Sequence, residues 1–263
     1  MKLIILAAGQ GTRLAPLTNT KPKCLVELKG IPLIEWQISV AKNIGIKDII
    51  VLRGYKGEQL EYLKDLGITL IDNFEYKSTN MVETLFKATD YLNDEVIISY
   101  GDIVYEEDVL KKVLESESNI SVVVDHGWKE YWKLRVEDIF SDAESLILDD
   151  LGRIKNIGQK VKDIQYIQGQ YIGLTKFKKE GLNVLKQIYD EEKKAFENGK
   201  NYICKIRNLK NIYMTDVIQG LINEGNEVKE VSINRGWVEI DNIHDLEVAN
   251  KLISYVENRF TIS

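Results

Sequence analysis

Through the first 125 residues, short runs rich in isoleucine, valine and leucine alternate with amphipathic stretches, and few architectures accept that rhythm. Strands that are apolar along their whole length must be covered on both faces, as in a parallel sheet held between two layers of helices. The expected strands are residues 3–6, 49–53, 68–71, 96–100 and 120–125, and the expected helices are 33–43, 57–65, 81–92 and 106–115. Asn80 is placed to cap the third helix, with Glu83 placed to return a bond to the cap backbone. After Asp125 strand-like runs crowd together from Leu134 to Leu174 around the turn signal Asp149-Asp150-Leu151-Gly152, predicting an antiparallel addition that forms one wall of a pocket. Helices at 178–197 and 214–223, two strands within 228–240 and a closing helix over 243–258 complete the reading. The expected fold class is α/β: a Rossmann-like mixed, mainly parallel sheet with helices on both faces and a small antiparallel addition. At 263 residues, with no repeat, low-complexity tract or linker, it is expected to form one domain.

A formal charge of −6 opposes nonspecific binding to nucleic acid, so an anionic ligand must be met by a local cluster of Lys and Arg. Cys24 and Cys204 belong to no ligand-spaced set and are expected as reduced thiols. The apolar stretch 3–8 is too short to span a membrane and lacks a cleavage pattern, so a cytoplasmic protein without membrane contact is expected.

The segment Leu6-Ala7-Ala8-Gly9-Gln10-Gly11-Thr12-Arg13-Leu14 is the most informative in the chain. Its small residues let the backbone approach a phosphate or a base, and successive N–H groups can cradle an anion. A dinucleotide fingerprint would need glycine where Leu14 stands, and a P-loop would need Gly-Lys-Ser/Thr at its end, so both are excluded. What remains is a glycine loop carrying Arg13, followed ten residues later by Lys23 in Thr20-Lys21-Pro22-Lys23. Pro22 fixes its own φ and pushes Lys21 toward extended backbone, which aims Lys23 in a defined direction. Asp102 follows one apolar strand and Asp241 follows another. If those strands and the first share one sense in one sheet, all three C-terminal ends open on the edge where α/β ligand sites lie. Two aspartates beside a triphosphate suit magnesium, although each taken singly could be a turn residue or a cap.

This combination, Leu6-Ala-Ala-Gly-x-Gly-Thr-Arg-Leu14 with Lys21-Pro-Lys23, Gly101-Asp102 and Glu239-Ile-Asp241, resembles the sugar-nucleotidyltransferase superfamily over nearly the whole chain. Ser78-Thr-Asn-Met-Val82, Ser99-Tyr-Gly-Asp-Ile103 and Gly169-Gln-Tyr-Ile-Gly173 carry a closer likeness to its small CTP-using members, the phosphocholine cytidylyltransferases and the CTP:phosphoglutamine cytidylyltransferases of bacterial capsule phosphoramidate synthesis. The resemblance implies transfer of CMP from CTP to a small phosphorylated acceptor with release of pyrophosphate, and by analogy a homodimer. Lys23 is then expected at the α-phosphate, Arg13 at the β- and γ-phosphates, and Asp102 with Asp241 on Mg2+. Leu6, Ala7, Ala8, Gly9, Gly11, Thr12, Ser78, Thr79, Asn80, Thr84 and Gly101 are expected around the nucleotide. Residues 1–125 would mainly bind nucleotide and 126–240 mainly the acceptor.

The Glu-Lys-Pro acceptor motif of the sugar-using members is absent; its counterpart is Gly158-Gln159-Lys160, from which Lys160 is carried over as an acceptor-phosphate contact. Trp128 and Trp132 can form a cage for a quaternary ammonium, Arg135 can fork onto a carboxylate, and the tryptophans can equally pack a helix face. Tyr171 is expected at the acceptor. His126 and His244 have no ligand-spaced partners and take no role. A nucleotide-sensing subunit without catalysis is the competing class.

Overall fold

The computed structural model describes residues 1–256 and 259–262. Its centre is a seven-stranded sheet of β1 (Lys2–Ala7), β2 (Asp48–Arg53), β3 (Thr69–Asp72), β4 (Val96–Tyr100), β5 (Ile120–Asp125), β6 (Gln170–Phe177) and β7 (Lys229–Ile233). The spatial order is β7-β5-β6-β4-β1-β2-β3, parallel at every pairing except the two made by β6. Strand alternation divides the core. Leu3 and Ile5 enter one apolar layer with Trp36 and Ile38 of helix α1 (Leu33–Asn43), while Ile4 enters the other with Val82 and Leu85 of α2 (Met81–Phe86). Each such side chain is sealed from water, worth about 1.5–3 kcal/mol. The register Leu6 opposite both Leu52 and Tyr100 sets the ends of β2, β1 and β4 at one sheet edge, which positions the site.

Several expectations need correction. Residues 57–66 form a 3-10 helix, because their buried positions Gly57, Leu60 and Leu63 recur every third residue, the period of that helix. The helix expected over 81–92 stops at Phe86, where the Thr89 hydroxyl bonds the Phe86 carbonyl, and resumes as a 3-10 turn at Thr89–Tyr91. Asn80 does cap α2, through the Met81 N–H, but Glu83 accepts from the Tyr189 hydroxyl instead of closing a capping box. Tyr189 is brought there by stacking on Phe86.

Leu134 belongs to helix α4 (Trp128–Arg135), not to a strand. The antiparallel addition is the hairpin Glu144–Leu148 with Ile154–Lys160, turned at Asp149, whose carboxylate accepts the Leu151 and Arg153 N–H groups. It packs on helix α6 (Met214–Asn223), and β6 then re-enters the main sheet against the grain. The remaining helices are α3 (Glu107–Glu115), α5 (Lys179–Glu197) and α7 (Ile243–Leu252). After α7 the chain pairs Ile253–Val256 with Arg259–Ile262; Asn258, the expected end of the closing helix, lies outside the described residues. No helix among the described residues is long and apolar enough to cross a membrane.

Candidate active site

The glycine loop leaves β1 at the open sheet edge and turns at Gly11, whose φ of +68° favours glycine. A Cβ at Gly11 would lie 2.7 Å from the Lys23 Cβ, so the missing side chain makes room for that lysine. Pro22 holds extended backbone (φ −68°, ψ 156°) and Lys23 opens a short 3-10 turn. The Lys23 Nζ donates to Asp102 Oδ2 at 2.6 Å and to Asp241 Oδ1 at 2.5 Å, and Arg13 Nη2 lies 3.0 Å from Asp241 Oδ2. Burial works against the ammonium, yet the two carboxylates outweigh it and hold the Lys23 pKa above the ordinary lysine value. Burial likewise opposes the Asp241 carboxylate, and Lys23 reverses the sign and keeps it below the usual range.

Asp102 and Asp241 meet by a route the sequence did not indicate. Residues Trp237–Glu239 lie outside the main sheet and pair antiparallel with a short strand Ile103–Tyr105, which places Glu239 opposite Ile103 and bonds the Ile240 N–H to the Asp102 carbonyl. The common-sheet premise is therefore corrected for Asp241: a two-stranded ribbon, clamped by apolar Val104, Tyr105, Trp237 and Val238, brings it to Asp102. The same ribbon adds Glu239, whose carboxylate lies within 4.8 Å of both aspartates. Strand period alone could have found it, since Glu239 and Asp241 are two residues apart. Burial pushes its pKa up to about 8, Arg135 pulls against that, and Asp241 and Asp102 add to it. The all-carboxylate donor set fits a hard divalent cation such as Mg2+, and Asp102 Oδ1, buried and without a hydrogen-bond partner among the described residues, is a lone pair open to one.

A cavity of about 170 Å³ opens beside this cluster. Of the expected nucleotide contacts, Leu6, Ala7, Ala8, Gly9, Lys23, Thr79, Asn80, Thr84, Gly101 and Asp102 line it; Gly11, Thr12, Arg13 and Ser78 do not. Cys24, Tyr76, Met81 and Tyr100 also line it, and nothing periodic in the sequence marked them. The loop before α2 is held by buried Asn73, whose Nδ2 donates to the hydroxyls of Thr79 and Thr84 at 3.0 and 2.8 Å.

The acceptor expectations fare differently. Trp128 and Trp132 are buried, edge to face with each other, and Trp132 is also covered by Tyr131 and Trp237, so they pack the interior and form no open cage. Arg135 is corrected as well, its side chain being only 3% exposed. Its Nε and Nη2 donate to Asp245 at 3.0 and 3.3 Å, and Nη1 makes an ion contact with Glu239 at 2.9 Å that lacks hydrogen-bond alignment. Asp245 in turn accepts the N–H groups of Asp241 and Asn242. Arg135 therefore braces the acidic loop from below. Arg135→Ala is expected to lower stability by about 3–5 kcal/mol, the cost of stranding a buried carboxylate, whatever acceptor is used; urea unfolding checks it, and a loss below 1 kcal/mol would show that the brace is idle. Lys160 is exposed, its Nζ on the carbonyls of Ser141 and Asp142 at 3.2 and 3.1 Å. Tyr171 shares a 2.8 Å hydrogen bond with Thr175 and presents its ring to the edge of Tyr100, which lines the cavity.

Comparison with known proteins places these features in company. The family profile of the MobA-like NTP transferase domain matches residues 3–164. The chain is 38% identical over 256 residues to a CTP:phosphoglutamine cytidylyltransferase of Campylobacter jejuni, covering 94% of this chain and 98% of that one. It is 35% identical over 151 residues to a choline-phosphate cytidylyltransferase of Streptococcus pneumoniae, 55% of this chain and 66% of that one. The solved structure of a CTP:phosphocholine cytidylyltransferase from Streptococcus pneumoniae superposes with a TM-score of 0.71 at 25% identity, covering 95% of this chain and 97% of the other.

Proposed function

Because this chain belongs to the MobA-like NTP transferase family and is a cytidylyltransferase-type member of it, we propose that it transfers CMP from CTP to a phosphorylated amino acid, L-glutamine phosphate, giving a CDP-linked product and pyrophosphate. Such a product would serve capsule phosphoramidate synthesis. The observation that carries the reading is the Lys23 ammonium held between Asp102 and Asp241 at the mouth of a cavity lined by the glycine loop and the 79–84 segment.

An acceptor phosphate oxygen attacks the α-phosphorus of CTP, forming one P–O bond as the bond to pyrophosphate breaks. No protein nucleophile is needed, so the work is positioning and charge neutralisation. The cavity walls seat the nucleoside and exclude water around it. Lys23, cationic at any working pH, is poised to exchange its carboxylate partners for the α-phosphate, where negative charge grows as the bonds change. Arg13, 69% exposed, is free to turn toward the departing phosphates. Asp102 and Asp241, with Glu239 in reach, would hold Mg2+, which when bound neutralises phosphate charge. Residues 1–125 then mainly serve the nucleotide and 126–240 the acceptor.

The acceptor class is favoured over phosphocholine by two facts: the higher identity of the phosphoglutamine relative at near-complete coverage, 38% against 25% for the phosphocholine enzyme's structure, and the burial of the tryptophans a choline cage would require. Pyrophosphate release with each of four nucleoside triphosphates against phosphoglutamine, phosphocholine, aminoethylphosphonate and glucose 1-phosphate is expected to be highest for CTP with phosphoglutamine. Faster turnover of phosphocholine would overturn the acceptor and leave the cytidylyl transfer standing; no turnover with any pair would favour a sensing subunit.

A further inference from the structure

The hairpin strand Glu144–Leu148 shows its side chains alternately to two faces, and Leu146 is buried with Ile157, Met214 and Val217 against α6. Glu144, two residues earlier, continues that face toward the N-terminal end of α6. Gly158 allows the approach: its φ is +80°, and a Cβ there would lie 2.5 Å from the Thr215 Cβ. Beside Thr215, Asp216 accepts from Arg207 Nη1 at 2.7 and 2.9 Å, and the Tyr213 ring lies 4.3 Å from the guanidinium carbon. The Arg207 hydrogen bonds among the described residues all use Nη1, and its side chain is 28% exposed, so Nε and Nη2 are left to meet a ligand.

Glu144 is the counterpart. Among the described residues its carboxylate has neither a hydrogen bond nor an ion pair within 4 Å. Burial pushes its pKa up to about 7; the charges of Lys160 and Arg207 pull it down, and those of Asp142 and Asp216 push it up. The Gln170 side chain ties this corner to the nucleotide cavity: its Oε1 accepts the Glu144 N–H at 3.1 Å and its Nε2 donates to the Glu144 carbonyl at 2.6 Å, and next to it Tyr171 meets the edge of Tyr100, which lines that cavity. A partly buried carboxylate without a donor and a guanidinium with a free edge thus flank the N-terminal end of α6, the first through the hairpin that packs on Thr215 and the second through Asp216.

We propose that Glu144 and Arg207 form a head-group subsite for the acceptor, Arg207 taking an α-carboxylate and Glu144 an α-ammonium. This rests on the amino acid phosphate reading above. A partly buried carboxylate without a protein donor gains from one, and an ammonium supplies it. The open edge of a guanidinium suits a carboxylate, and Arg207 is accessible where Arg135 is locked.

The test uses purified protein, CTP and three acceptors: phosphoglutamine, its descarboxy analogue and its desamino analogue. The wild type is expected to prefer phosphoglutamine over each analogue by about tenfold or more in kcat/KM, the scale of one charged hydrogen bond. Arg207→Gln should collapse the preference over the descarboxy analogue and keep the preference over the desamino one; Glu144→Gln should do the reverse. The acceptor KM should rise as pH falls below about 7, where Glu144 takes up a proton, and the Glu144→Gln enzyme should lack that rise. A thermal shift with CTP reports folding; should Arg207→Gln fail it, Arg207→Lys keeps a cation beside Asp216 and should weaken the same preference. Variants that lose equally on all three acceptors, or that keep both preferences, overturn the subsite alone. A wild type that refuses every amino acid phosphate overturns the acceptor class and the subsite with it.

Discussion

Asp102→Asn and Asp241→Asn are each expected to fold and to lose magnesium-dependent turnover by about a hundredfold or more, the scale of removing one group that organises charge at a reacting phosphate. The amide keeps the shape of the side chain, and Lys23 Nζ retains the other carboxylate at 2.5–2.6 Å, so neither variant strands a buried cation. The losses should differ in kind. Asp241 also meets Arg13, and its N–H and that of Asn242 are accepted by Asp245, which Arg135 holds, so its substitution removes a carboxylate from a rigid frame. Asp102 contributes the orphaned Oδ1, so its substitution should most strongly raise the magnesium concentration needed for half-maximal rate. Magnesium titration of pyrophosphate release measures both. Full activity in either variant would sink the two-aspartate metal site.

Lys23→Ala is expected to lower kcat by about two to three orders of magnitude, because its charge is positioned for an anionic centre that grows during the reaction. The position of Nζ between two aspartates adds a second effect. Without it, Asp102 and Asp241 face each other with exposed Arg13 as the remaining direct ion pair among the described residues, and the ligand-free protein should lose about 1–3 kcal/mol through unpaired, partly buried carboxylates. Added magnesium should restore much of that stability, since a cation can replace the ammonium there. A defect confined to the KM for CTP would reduce Lys23 to a nucleotide-binding role. A thermal midpoint unmoved by the substitution would mean the pairs contribute nothing in the free protein.

Much of the first half of the chain was legible in the sequence because it is built locally. The glycine loop, Pro22 before Lys23 and the Asn80 cap each act within a few residues, and the apolar strand runs could pair only in a doubly covered sheet. Spacing also excluded the other two phosphate loops at named positions. The second half was less legible. Trp128, Trp132 and Arg135 have the residue types of a recognition site, and only the packing of Trp132 on Trp237 and the contacts of Arg135 with Asp245 and Glu239 show that the arginine braces the acidic loop. Arg207 carries no signal of its own, being one basic residue among several between α5 and α6.

By itself, then, the sequence determined the sheet, the loop geometry and the residue types suited to an anionic ligand, since these follow from period, backbone restriction and charge over short spans. Tertiary structure decided which carboxylates meet. Asp102 and Asp241 are 139 positions apart and join through a ribbon of three-residue strands, too short to leave a periodic mark, and its pairing depends on Tyr105 and Trp237 being buried from both sides. It likewise decided which arginine is spent on the frame and which keeps a free edge, because burial and the position of distant carboxylates set that choice, and neither is a property of the residue's neighbours in the chain.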